Sequence, residues 1–137
     1  LLMADHMLSA AIAEPLPAAP RPPGVSLVAA DAEPWPHDYV DEATRLRFGA
    51  DGVTVAAIGK HVSPWDALDT GAFLLAPEAW SAVEDSPEDC ELSVIFGELA
   101  KRDMLHAVDV SGASWYDVDT VEDLEAASRL ITAGASR

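Results

Sequence analysis

Short stretches in which every second residue is apolar alternate along this chain with stretches whose apolar residues recur at helical spacing. "LLMAD" reads as a buried strand over residues 1–4 that ends at Asp5, and a short helix over 9–14 follows, closed by Pro15. "EPLPAAPRPPG" carries five prolines and reads as a surface connection outside the core. "VSLVAAD" is the next strand, and "AEPWPHD" a second loop. In "ATRLRFGADGVTVAAIGK", Leu46 and Phe48 alternate with Arg45 and Arg47, and Val53 and Val55 alternate on the return. With Asp51-Gly52 between them as turn chemistry, the segment predicts a β-hairpin. "GAFLLA" is a strand, and Pro77 opens a short helix to about Val83.

"SPEDCELSVIFGELAKR" predicts a helix with Ser86 as N-cap, Pro87 in its first turn and Asp89 in a capping-box position. It runs to about Lys101, with Leu92, Ile95, Phe96 and Leu99 on one face. Cys90 falls inside this helix. "MLHAVDV" is a further strand. Thr120 caps a last helix whose Leu124, Ala127, Leu130 and Ile131 face inward and which Gly134 follows. Strands alternating with helices, plus one inserted hairpin, indicate an α/β fold.

Composition narrows the function classes. The 137 residues suffice for one core but are short for a complete α/β enzyme, and a chain that opens on "LLMAD" reads as a piece of a longer protein. Eight Lys and Arg against 24 Asp and Glu give a formal charge of −16, which argues against nucleic acid as a partner. One small phosphorylated ligand stays compatible if a divalent cation supplies positive charge. No apolar run is long enough for a membrane span, and the start lacks the basic segment of a signal peptide. The single cysteine, Cys90, excludes an internal disulfide and fits the cytoplasm; no histidine or second cysteine lies near it in sequence.

Candidate chemistry sits at predicted strand ends. Asp5 is placed for a metal beyond a strand end or for capping a helix, and His6 beside it is a ligand or a hydrogen-bonding spacer. Lys60 ends the hairpin's second strand, where it meets a phosphate or stays a solvated surface lysine. Asp69 and Thr70 precede Gly71 at a strand entrance, where they bond the hydroxyls of a polyol or simply form a turn. "YDVDT" places Asp117 and Asp119 before the last helix. The four histidines, His6, His37, His61 and His106, are too scattered for a zinc site. There is no G-x-G-x-x-G segment, no Walker A lysine loop, and no local Ser-His-Asp set.

Four segments in order, "LLMADHM", "VDEATRLRFGADGVTVAAIGK", "WDALDTGAFLL" and "SWYDVDTVEDLEAA", resemble those of the inositol-1-phosphate cytidylyltransferase group. These are nucleotidyltransferases with a GT-A, Rossmann-like fold, a mixed sheet flanked by helices. The resemblance runs from residue 1 to about 131. It implies a Mg²⁺ site on Asp5 and Asp117, with Lys60 contacting phosphate as the third catalytic residue. It places Asp69, Thr70, Gly71 and His6 on the side of the phosphorylated acceptor, with CTP as the favoured nucleotide. The family's glycine-rich nucleotide loop, G-x-G-x-R, is absent, so residues 1–137 read as the C-terminal part of one nucleotidyltransferase domain. Two rivals stand beside this reading. "DVDTV" also fits the nucleophile motif D-x-D-x-[TV] of haloacid-dehalogenase-type phosphatases, although that motif belongs on a first strand and here precedes the final helix. The other rival is a non-catalytic nucleotidyltransferase-like binding module or an inactive fragment.

Overall fold

The computed structural model describes residues 1–34 and 43–132, the last three by backbone alone. In chain order the elements are β1 (His6–Leu8), α1 (Ala10–Ala13), β2 (Ser26–Asp31), β3 (Arg45–Phe48), β4 (Val55–Gly59) and β5 (Ala67–Leu74). They continue with α2 (Trp80–Glu84), α3 (Leu92–Lys101), β6 (Leu105–Asp109), β7 (Trp115–Asp117) and α4 (Val121–Thr132). Five strands form a mixed sheet in the order β4-β3-β5-β2-β6, in which only β2 and β6 run parallel. β1 and β7 form a separate antiparallel ribbon.

β2 shows why the sheet is central. All six of its residues are buried, which demands a cover on both faces. Val28 and Ala30 point to one side, into a cluster with Phe73, Ala82, Phe96, Leu99 and Leu105, where α2 and α3 pack. Leu27 and Ala29 point to the other, into a cluster with Ile12, Leu16, Leu68, Ala72 and Trp115. The alternation is the period of two expected of a strand. On the first side the rings of Phe73 and Phe96 stack with centroids 4.0 Å apart. The sheet curls until its outer strands touch. Thr54, just ahead of β4, bridges His106 on β6, and Ala107 donates its N–H to the Val53 carbonyl at 2.8 Å.

The hairpin forms as expected. Asp51 caps its tip by accepting the N–H groups of Val53 and Thr54 and the Thr54 hydroxyl. Other expectations shift. Leu1 and Leu2 are 50% and 56% exposed rather than buried, because residues 1–3 lie against an outward bulge of β5. Met3 donates to the Gly71 carbonyl and Phe73 to that of Leu1, while the strand itself begins at His6. The proline-rich segment is mostly exposed, but Leu16 within it forms a helical turn and is buried in the core. α3 starts at Leu92, five residues later than expected, because Ser86 bonds back to the Ala82 carbonyl of α2 instead of capping forward. Cys90 is therefore outside the helix, and Leu92 is exposed. Thr120 does cap α4: its hydroxyl accepts the Asp123 N–H, and Asp123 accepts the Thr120 N–H in return. Along α4, Ala127 is buried but Leu124 is half exposed. Most of the loop "AEPWPHD" with His37, the positions of the Leu130 and Ile131 side chains, and Gly134 lie outside the described residues. Among the described residues no helix is long and apolar enough to cross a membrane.

Candidate functional site

The β1–β7 ribbon brings together residues from opposite ends of the described chain. Its register sets His6 opposite Asp117, and the Val118 N–H donates to the Asp5 carbonyl at 2.9 Å, so Asp5, His6 and Asp117 converge. Asp5 does not end a strand, as expected, but turns into β1; antiparallel pairing still places it beside the carboxyl end of β7. The donor atoms of the three side chains all lie within 4.8 Å of one another. His6 Nδ1 is 3.0 Å from Asp5 Oδ1 and 3.7 Å from Asp117 Oδ1. The hydrogen bond with His6 holds the Asp5 carboxyl below its ordinary range. Burial pushes Asp117 above that range; His6 counters this, and Asp119, Asp5 and Asp123 add to it. Asp117 Oδ1 is buried, and among the described residues no hydrogen-bond partner reaches it. A buried carboxylate oxygen without a donor, in a cluster of like charge, is a suitable ligand for a cation. The two aspartates expected to hold Mg²⁺ therefore fit a divalent ion.

Next to this cluster opens a cavity of about 440 Å³ lined by His6, Lys60, Asp69, Gly71, Trp115 and Asp117, among others. Lys60 is exposed just beyond β4 and lines the cavity. Asp69 lines the cavity too. Its Oδ1 accepts the Gly71 N–H at 2.8 Å, and burial pushes its carboxyl up to about 7. Thr70 departs from expectation. It is fully buried, faces away from the cavity, and donates to the Ala29 carbonyl at 3.0 Å.

"DTG" is not the entrance of a strand but a bulge within β5, where the register against β2 shifts between Val28 and Ala30. Gly71 adopts φ +81°, and a Cβ there would lie 2.6 Å from His6 Cδ2. Its clearest role is to make room for the histidine ring.

Two residues of the site escaped the sequence reading. Trp115 lies parallel to the His6 ring, with centroids 6.2 Å apart and planes 5° from parallel. Asp31, fully buried at the end of β2, accepts the Trp115 indole N–H at 2.9 Å and thereby fixes that ring. The signal was an acid closing an otherwise apolar strand, "VSLVAAD". Asp117 and Asp119 both line the cavity but differ in role: Asp117 joins the cluster, while the Asp119 N–H joins the helix cap by donating to Asp123.

No family model matches the chain. It is 36% identical over 135 residues to the "Bifunctional IPC transferase and DIPP synthase" of Archaeoglobus fulgidus, covering 98% of this chain and 25% of that protein. With the protein of the same name from Thermococcus kodakarensis it shares 34% over 131 residues, 96% of this chain and 28% of that protein. The chain thus spans about a quarter of the length of these relatives. Among solved structures, the inositol-1-phosphate CTP transferase from T. maritima superposes with a TM-score of 0.76 at 18% identity, over 93% of this chain and 52% of that one. A putative glucose-1-phosphate thymidylyltransferase from Bacillus anthracis gives 0.73 at 17%, over 94% and 52%. The fold is that of these nucleotidyltransferases, mixed and Rossmann-like as expected, and the resemblance to the cytidylyltransferase group is met in sequence as well.

Proposed function

From a chain with the fold of nucleotidyltransferases and sequence kinship to the IPC transferases, we propose the acceptor-side and metal-binding part of a cytoplasmic cytidylyltransferase. The reaction is transfer of CMP from CTP to inositol 1-phosphate or a similar phosphorylated polyol, with release of pyrophosphate. The observation that carries this reading is the meeting of Asp5 and Asp117 beside a cavity that also presents Lys60.

A phosphate monoester is already anionic at neutral pH, so its oxygen attacks the α-phosphorus of CTP without first losing a proton to a strong base. The new P–O bond forms as the bond to pyrophosphate breaks. Orientation and charge neutralisation are what remain to be supplied. The Lys60 ammonium, in a chain with few cations, is placed to hold the acceptor phosphate against the acidic wall. Asp69, with Oδ1 tied to the Gly71 N–H and a carboxyl that titrates near neutrality, offers a hydrogen-bonding partner to a polyol hydroxyl. Asp5 and Asp117 would hold Mg²⁺, which when bound neutralises phosphate charge. Trp115 and His6 line one side of the cavity with parallel rings.

The test is release of pyrophosphate from CTP with inositol 1-phosphate as acceptor. Asp117→Ala is expected to lower the rate at least about a hundredfold, the scale of losing one major electrostatic contact in a transition state. Full activity of Asp117→Ala would remove the metal assignment. A parent protein that binds CTP yet never releases pyrophosphate would instead support a binding module.

A further inference from the structure

The structure assigns His6 as a third ligand of the cation held by Asp5 and Asp117, making the site selective for a borderline divalent ion such as Mn²⁺ or Co²⁺ over Mg²⁺. The inference rests on reading the two aspartates as metal ligands and adds a nitrogen to their oxygens.

Distance is the first argument. Neighbouring donors around an octahedral ion with bonds of about 2.1 Å lie about 3 Å apart, and opposite donors about 4.2 Å. The 3.0 Å from His6 Nδ1 to Asp5 Oδ1 matches neighbouring donors, and the 3.7 Å to Asp117 Oδ1 lies between the two values, so a small shift of the Asp117 carboxylate brings it to a neighbouring position. The second argument is that the ring is held. Its side chain is only 12% exposed. Gly71 clears one side of it, and Trp115, anchored by the buried Asp31, stacks on the ring. A histidine that merely spaced two loops would need no such support, whereas metal-binding imidazoles depend on neighbours that fix their orientation.

The third argument is the orphaned Asp117 Oδ1, which lies on the same side of the ring as Nδ1 and has no donor among the described residues. When the ion binds, Nδ1 presents its lone pair to it in place of the hydrogen bond with Asp5. An imidazole nitrogen beside two carboxylates shifts preference away from Mg²⁺, which favours an all-oxygen shell, toward Mn²⁺ and later transition metals.

Pulsed electron paramagnetic resonance of the protein loaded with Mn²⁺ alone reads this directly. A ¹⁴N modulation from directly bound imidazole is expected in the parent and absent in His6→Gln. Titrations should show Mn²⁺ affinity falling about ten- to a hundredfold in His6→Gln, with Mg²⁺ affinity falling much less. His6→Asn and a melting curve for each variant establish that the fold survives. Mn²⁺ bound without nitrogen coupling, or equal losses for both ions, overturns the role of His6 and leaves the carboxylate pair standing. No Mn²⁺ binding in the parent overturns the carboxylate pair, and the inference with it.

Discussion

Asp69 shows how one side chain ties the chemistry of the cavity to the stability of the protein. An aspartate in the unfolded chain titrates near 3.8, while burial raises Asp69 to about 7 in the folded protein. Between those values the folded state binds more protons than the unfolded state, so this residue makes stability fall as pH rises from about 4 to about 7, and adds no slope above that. Asn can still accept the Gly71 N–H through its amide oxygen and cannot ionise. Asp69→Asn should therefore flatten the decline and raise stability at pH 8 by up to about 4 kcal/mol. Denaturant melts of both proteins at pH 5 and pH 8 check this; an equal stability gap at the two pH values would show that Asp69 does not carry the burial. At the same scale, Asp31 does its work through a neighbour: it never reaches the cavity, but without it the Trp115 indole N–H would be left without its acceptor at the back of the site.

The elements that matter most are the β5 bulge and the β1–β7 ribbon it adjoins. The bulge turns Gly71 to φ +81°, gives residues 1–3 a hydrogen-bonding edge, and leaves space for His6. Gly71→Ala would place a methyl group in a left-handed backbone and against the His6 ring. The expected cost is about 2–4 kcal/mol from backbone strain and overpacking together. It should come with a displaced His6 ring, visible as a shift of its imidazole signals by nuclear magnetic resonance. A melting temperature unchanged from the parent would contradict the packing described.

Much of this level was legible in the sequence. β2, β6, the hairpin and the Thr120 cap follow from period-two runs, Asp-Gly and a polar residue before a helical stripe, all local signals. What was missed depends on partners remote in sequence. "LLMAD" reads as a buried strand because it is apolar, but its partner is a bulge that leaves its side chains in water. "DTG" reads as a turn because Asp and Gly favour turns, but the same residues suit a bulge equally well. Ser86 fits a cap for the helix ahead, and only the three-dimensional position of α2 turns it backward. Asp5, Lys60 and Asp117 were legible as candidates because they sit at the borders of local patterns. Their meeting was legible only through the family resemblance, which implied one Mg²⁺ site on Asp5 and Asp117; Trp115 behind them carried no such signal.

For the whole molecule the dominant fact is a formal charge of −16 carried by 137 residues. Like charge so concentrated works against the compact state, and salt screens it. Raising NaCl from about 0.05 to about 0.5 M should raise the melting temperature by a few degrees, equivalent to about 1 kcal/mol. A melting temperature indifferent to salt would mean that repulsion among the carboxylates does not limit stability. The same acidity explains why Lys60 stands out beside the cavity and why a cation is needed wherever a phosphate is to approach.

The β1–β7 ribbon carries one more consequence, for the order of events during synthesis. A chain still emerging from the ribosome carries Asp5 and His6 long before Asp117 exists to face them. The nascent protein holds only two of the three clustered side chains until the sheet between the two strands has been made. On the proposed reading, an ion held by all three side chains would report that the chain between the two strands has folded.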